Sequence, residues 1–271
     1  MAELIEEQIA AGTDAIISIG TTGEGSALDI VEHVKGIEFT CKQVAGRVPV
    51  IAGTGSNDTA FAVKLSNEAE KVGADALLMV TPYYNKTTQA GLIAHFTAQV
   101  EAAGIPCILY NVPSRTGCNI APATVAALAE HPNIVGIKEA SGNLSQVAQI
   151  AHLCGDKIDI YSGNDDQIVP MLSLGGSGVI SVLSNVLPAE TSAICHKFFE
   201  GDVKGSLELQ CKYLGLTNAL FSDVNPIPVK EAMAMLGYCG AEMREPLYPM
   251  DEAKKAILRE KLIEAGLAVK D

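Results

Sequence analysis

Short apolar runs rich in β-branched residues recur along the chain at positions 14–20, 49–53, 76–80, 107–111, 135–139, 159–163 and 178–182. Between them, at 29–44, 58–72, 89–102, 122–131, 144–152 and 165–174, apolar positions are spaced by three and four. The first pattern predicts strands buried on both faces, and the second predicts amphipathic helices. Their alternation predicts parallel strands joined by crossover helices. Asn57-Asp58, Ala121-Pro122 and Asn143 supply helix starts, Asp165-Asp166 reads as a further cap, and Gly73 and Gly104 are expected to close helices. After 182 only helical patterns follow, at 189–199, 204–221, 228–236 and 251–265, with no Pro-, Gly- or Ser-rich linker before them. The expected organisation is an α/β barrel over 1–187 with a helical segment over 188–271 packed on it, in one domain overall. An open doubly wound sheet is the alternative, disfavoured because no G-x-G-x-x-G turn follows the first strand.

Seven strands are visible, and residues 2–11 read as a helix that would follow a strand of its own. Strand number, shear and tilt are linked in a closed barrel. A (β/α)8 TIM barrel therefore needs one more segment ahead of Met1, and the first barrel strand is expected to be missing from the chain.

Composition narrows the function classes. Of 271 residues, 48% are hydrophobic and 19% charged, enough apolar side chain for a sizeable core. The formal net charge of -13 argues against a nucleic-acid partner, whose phosphates need a basic face. No run approaches the roughly 18 apolar residues of a membrane span, and Met1 to Ile9 carry three glutamates where a signal peptide would be positive, so a soluble cytoplasmic protein is expected. The seven cysteines are widely spaced and never form C-x-x-C, and the five histidines are equally scattered. Neither set predicts a disulfide framework or a metal site.

Reactive residues of such barrels lie where strands end. Lys138 ends the run 134–137, at the inside or mouth of the barrel. Burial there works against an ammonium charge, and a neutral amine attacks ketones to give an imine that serves as an electron sink. A salt bridge to Glu139 or another carboxylate is the equally open alternative. Tyr110 closes the preceding strand, so its phenol can meet that amine and shuttle protons, or else seal the rim. Gly20 to Glu24 forms a turn with two hydroxyls, Thr21 and Thr22, and open N–H groups suited to a small carboxylate. Arg115 can grip a carboxylate bidentately or make an intersubunit salt bridge. Tyr83 and Tyr84 read as interface aromatics.

The strings GTTGE, AGTGSN, TPYYN, YNVPSRTG, GIKEASGN, SGND, GGSGVISV and NPIPVK occur in that order between about Glu3 and Leu267. Together they resemble the pyruvate-dependent class I aldolase family that includes dihydrodipicolinate synthase and N-acetylneuraminate lyase, with the synthase pattern the closer. The resemblance implies that Lys138 forms an imine with pyruvate, with Tyr110 as general acid/base coupled through Thr21 to Tyr84 of a neighbouring subunit. It implies that Thr21 and Thr22 hold the pyruvate carboxylate, that Gly163 and Ile180 give main-chain contacts, and that Arg115 anchors L-aspartate 4-semialdehyde. No metal or organic cofactor is implied, and the family context implies a homotetramer built of tight dimers. The pathway implied is diaminopimelate and lysine biosynthesis. His33, Asn57 and Tyr83 match a lysine effector site of the family, whereas Ile30 and Phe61 stand where sensitive members have histidine and glutamate. Weak or absent lysine feedback is therefore expected. Cleavage of a sialic acid, and a barrel that keeps the motifs but has lost activity, are the alternatives.

Overall fold

A computed structural model describes residues 1–270. Seven strands, β1 Ile16–Ser18, β2 Val50–Gly53, β3 Ala76–Val80, β4 Cys107–Asn111, β5 Ile134–Glu139, β6 Asp159–Ser162 and β7 Gly178–Val179, form one parallel sheet in chain order. Helix α1 (Ala2–Ala10) precedes β1. The crossovers are α2 (Ile30–Val44), α3 (Thr59–Lys71), α4 (Gln89–Ala102), the single turn α5 (Pro113–Thr116) with α6 (Pro122–Leu128), α7 (Leu144–Cys154) and α8 (Ile168–Ser173). Four helices follow β7: α9 (Pro188–Phe199), α10 (Val203–Leu220), α11 (Ile227–Leu236) and α12 (Glu252–Glu264). No helix among the described residues is long and apolar enough to cross a membrane.

Side chains alternate across the sheet because successive residues of a strand point to opposite faces. Ala52, Leu77, Met79, Leu109, Ile137 and Ile160 face the helices and join Leu92, Phe96 and Val100 of α4 in the main core. Each fully buried side chain of this size contributes about 1.5–3 kcal/mol. Ile51, Leu78, Ile108, Tyr110 and Ala140 face the other way and pack with Ile17, Val80, Tyr161 and Ile180 on the concave side. A third core, built from Leu183, Leu216, Leu220, Val229, Leu258 and Leu262, holds α10, α11 and α12 together, with Leu4 of α1 packed against it.

The register on the concave side brings Tyr110 opposite Lys138, and Lys138 opposite Tyr161. Strand and helix bounds follow the hydrophobic pattern, with informative exceptions at the ends. β1 and β7 are shorter than expected: among the described residues each has a single partner strand, and Ile19 ends β1 by adopting φ 54°. Gly73 does enter the left-handed region after α3, at φ 99°, but Gly104 does not. The α4 helix ends on an extended Ala103 instead, and the Gly104 N–H donates to Glu70. Asp165 and Asp166 lie in a 3-10 turn, and α8 begins only at Ile168 with no side-chain cap.

Candidate active site

The concave side of the sheet lines a cavity of about 1930 Å³ that runs from residues ahead of the strands, such as Pro49 and Pro106, to the loops after their C-terminal ends, and reaches between β7 and β1. Lys138 and Tyr110 meet in it from adjacent strands, with Nζ of the lysine 4.6 Å from the centre of the tyrosine ring. Tyr110 is 7% exposed. No carboxylate among the described residues lies within ion-pair distance of Lys138. Strand alternation goes against the alternative Glu139 pairing: Glu139 faces the helices, where Oε2 accepts from Asn111 Nδ2 at 2.9 Å and Gln146 Nε2 at 3.1 Å, and Oε1 accepts the Ser141 N–H at 2.7 Å. The two neighbours in sequence thus serve opposite faces, one in the cavity and one in a polar tie between β4, β5 and α7.

Gly163 makes room for the amine. A Cβ there would lie 3.0 Å from Lys138 Cε and 2.6 Å from Ala140 Cβ. Gly163→Ala is expected to cost about 1–3 kcal/mol of stability through overpacking and to lower kcat by on the order of 10²-fold by displacing the lysine. Steady-state rates beside a thermal melt check this, and unchanged kcat in a folded variant refutes it.

The turn after β1 carries Thr21 and Thr22, both lining the cavity. Its hydrogen bonds are local, Gly23 N to Gly20 O at 3.1 Å and Glu24 N to Thr21 O at 3.0 Å. Thr22 also exchanges a hydrogen bond with Asn225 at 3.1 Å, across 203 positions of sequence. The Arg115 guanidinium, exposed at the mouth, donates to the Asn225 carbonyl at 3.2 Å. Asn225 therefore ties the Thr21–Thr22 turn to the arginine. Local pattern does not signal this tie, because its partners lie 110 and 203 positions away in the chain.

Gly163 and Ile180 line the same cavity, and the Ile180 N–H continues the β6–β7 ladder to Ser162 O at 2.8 Å. The loop beyond Ile180 is held by Asp165, which is 3% exposed and is no helix cap. Its Oδ2 accepts the main-chain N–H groups of Val182 and Leu183 at 2.9 and 3.0 Å. Burial pushes this carboxyl up, against the opposing pull of those donors and of the Lys138 charge. Tyr161 fills the interior beneath Lys138, and burial with the neighbouring Asp159 pushes its phenol up to about 12. Neither role was signalled by local pattern.

Tyr84 does not line the cavity of its own chain. It is 90% exposed, at φ 69°. Tyr83 lines the cavity, and Asn57 approaches that loop through its carbonyl, which accepts from Asn85 Nδ2 at 2.8 Å. His33 is buried, its Nε2 bonded to the Gly53 carbonyl at 2.8 Å, and burial lowers its affinity for a proton. Ile30 begins α2, and Phe61 is partly exposed in the first turn of α3. Among the described residues, no group of three or more His, Cys, Asp or Glu side chains is arranged to hold a metal ion.

Residues 1–265 match the pattern of the family described as the Dihydrodipicolinate synthetase family. The chain is 56% identical over 268 residues to the 4-hydroxy-tetrahydrodipicolinate synthase of Lachnoclostridium phytofermentans, covering 98% of this chain and 91% of that protein. It is 56% identical over 271 residues to the enzyme of the same name from Caldicellulosiruptor saccharolyticus, covering 100% and 92%. The crystal structure of dihydrodipicolinate synthase from Aquifex aeolicus superposes with a TM-score of 0.98 at 44% identity, over 100% of this chain and 92% of that one.

Proposed function

Since the chain belongs to the Dihydrodipicolinate synthetase family, we propose that Lys138 and Tyr110 are the imine-forming amine and the proton carrier of its reaction. The protein is an enzyme of the lyase class with the 4-hydroxy-tetrahydrodipicolinate synthase activity of its relatives, placing it in diaminopimelate and lysine biosynthesis. Its substrates in this reading are pyruvate and L-aspartate 4-semialdehyde. The observation that carries the residue assignment is the amine resting 4.6 Å from the phenol ring centre, with no carboxylate among the described residues at ion-pair distance, on the concave side of β5 and β4.

The Lys138 amine adds to the pyruvate ketone and water leaves, giving a protonated imine. That cation draws electrons from the methyl C–H bond, a proton departs, and the resulting enamine carbon attacks the semialdehyde carbon. The aldehyde oxygen takes up a proton. The amine of the second substrate then attacks the imine carbon, closes the ring and returns Lys138 as free amine. Tyr110 carries protons in the addition, dehydration and enamine steps. Thr21 and Thr22 hold the pyruvate carboxylate, Gly163 and Ile180 offer main-chain contacts, and Arg115 receives the semialdehyde's carboxylate at the mouth. Arg115 also favours the amino-acid substrate over a sialic acid.

Three finer features belong to the same reading. Tyr84, exposed on one chain, reaches the site of a neighbour within a homotetramer of tight dimers. The working architecture is a closed (β/α)8 barrel with a further parallel strand between β7 and β1, supported by the cavity that both edge strands line. The helical segment from residue 188 onwards belongs to the barrel's domain in this reading, supported by the Thr22–Asn225 bond.

The test is borohydride reduction in the presence of pyruvate, followed by peptide mass analysis, beside assays supplying aspartate semialdehyde or N-acetylneuraminate. A three-carbon adduct on the Lys138 peptide with turnover of the semialdehyde is expected. Turnover of the sialic acid alone would give the lyase instead, and a folded oligomer inert to both would be a member without activity. Free lysine is expected to inhibit weakly or not at all, because Ile30 and Phe61 offer it no imidazole or carboxylate. The missing carboxylate costs about 1–3 kcal/mol of affinity. Initial rates against lysine concentration check this, and inhibition at micromolar lysine overturns it.

A further inference from the structure

The turn that presents Thr21 and Thr22 is built on strained backbone. It leaves β1 through Ile19 at φ 54° and closes at Glu24 at φ 56°, two left-handed residues that carry side chains. Such conformations are disfavoured for a β-branched isoleucine and for glutamate, and they persist where surrounding contacts over-determine them. Ile19 is wedged by backbone: a Cβ at Gly53 would fall 2.4 Å from its carbonyl oxygen, and one at Gly25 would fall 2.9 Å away.

Glu24 is held by charge. Its side chain is 9% exposed, with Oε1 paired to Nζ of Lys230 in α11, and Oε2 accepting the Arg244 main-chain N–H at 2.7 Å. The Arg244 guanidinium then takes both oxygens of Glu32, in the first turn of α2, at 3.0 Å each. Burial works against the Glu24 charge, and the Lys230 and Arg244 contacts outweigh it, leaving the carboxyl below its ordinary range. The pair joins residues 206 positions apart. It lies beside the Thr22–Asn225 bond, so α11 and the segment leading into it grip the turn twice.

We propose that Glu24 and Lys230 are positioning residues whose ion pair holds the Thr21–Thr22 turn in the shape that binds the keto-acid carboxylate. Affinity for pyruvate thereby depends on the C-terminal helical segment. The proposal rests on the reading of the site as the pyruvate site. Neither residue touches the reacting atoms. Without Lys230 the Glu24 carboxylate is buried without its cation, a state that drives the side chain toward water. The Glu24 backbone then leaves the left-handed region and its N–H leaves the Thr21 carbonyl, which it meets at 3.0 Å.

Lys230→Met, Lys230→Arg and Glu24→Gln in the full chain test this. Lys230→Met is expected to raise the KM for pyruvate by about tenfold or more, with kcat within about threefold and the KM for the semialdehyde unchanged. The pyruvate concentration for half-maximal borohydride labelling of Lys138 should rise by the same factor. Lys230→Arg, which keeps the ion pair, should restore both. A folded Lys230→Met protein with unchanged KM for pyruvate overturns the proposal, as does one that loses only kcat. If Lys230→Met does not fold, Glu24→Gln is read in its place, since it keeps the shape and the acceptor for Arg244. An unchanged KM for pyruvate there is equally fatal. Absence of any label in the unaltered protein would remove the site reading itself, a failure seen before any variant is made.

Discussion

Lys138→Ala is expected to abolish the pyruvate adduct and to lower kcat by on the order of 10³-fold or more, the equivalent of about 4 kcal/mol of barrier. Stability should change little. The lysine has no ion partner among the described residues to leave unpaired, and its stem lies in the open cavity. The loss should therefore be chemical, seen as a missing three-carbon mass on the 134–139 segment in a protein whose melting profile is near that of the parent. Lys138→Arg sharpens the reading. It puts a guanidinium near the Tyr110 ring but has no nucleophilic amine at working pH, so it should be as inactive as the alanine variant. An adduct of undiminished yield in either variant would place the reactive amine elsewhere and remove Lys138 from the mechanism.

That expectation was open to a reader of the sequence because strand alternation is a local signal. A β-branched run ending in Lys-Glu puts one of the pair on each face, and the register of β4 with β5 then brings Tyr110 opposite Lys138. The alternative pairing of Lys138 with Glu139 failed for the same reason. Adjacent strand residues point apart, and Glu139 is taken up by Asn111 and Gln146. What stayed hidden depends on contacts distant in sequence. Asp165 sits where a helix cap is expected, yet its carboxylate is spent on main-chain donors at 182 and 183, beyond α8. Lys230 belongs to a helix whose pattern shows only an apolar face and Asn225 to the segment leading into it, while their partners Glu24 and Thr22 lie some 200 residues earlier. Periodicity reports which face of an element is buried. It does not report which polar atom that face will meet.

Tyr110→Phe separates a proton carrier from a rim-sealing aromatic, the two roles left open for this residue by its place at a strand end. The ring packs with Ile108, Val112 and Ala140 on the concave side and lies under the Lys138 amine. Phenylalanine keeps that packing and the ring face toward the cation. Only the hydroxyl is lost. If Tyr110 moves protons during carbinolamine formation, dehydration and enamine formation, kcat should fall by about 10²–10⁴-fold, while the KM for pyruvate and the melting temperature stay close to those of the parent. Borohydride trapping adds a kinetic signature that packing alone would not produce. The Lys138 adduct should still form, because the amine remains, but its rate of appearance should fall in step with kcat. A folded phenylalanine variant with kcat within about threefold of the parent would assign Tyr110 to packing. The proton traffic would then have to pass through another group in the cavity.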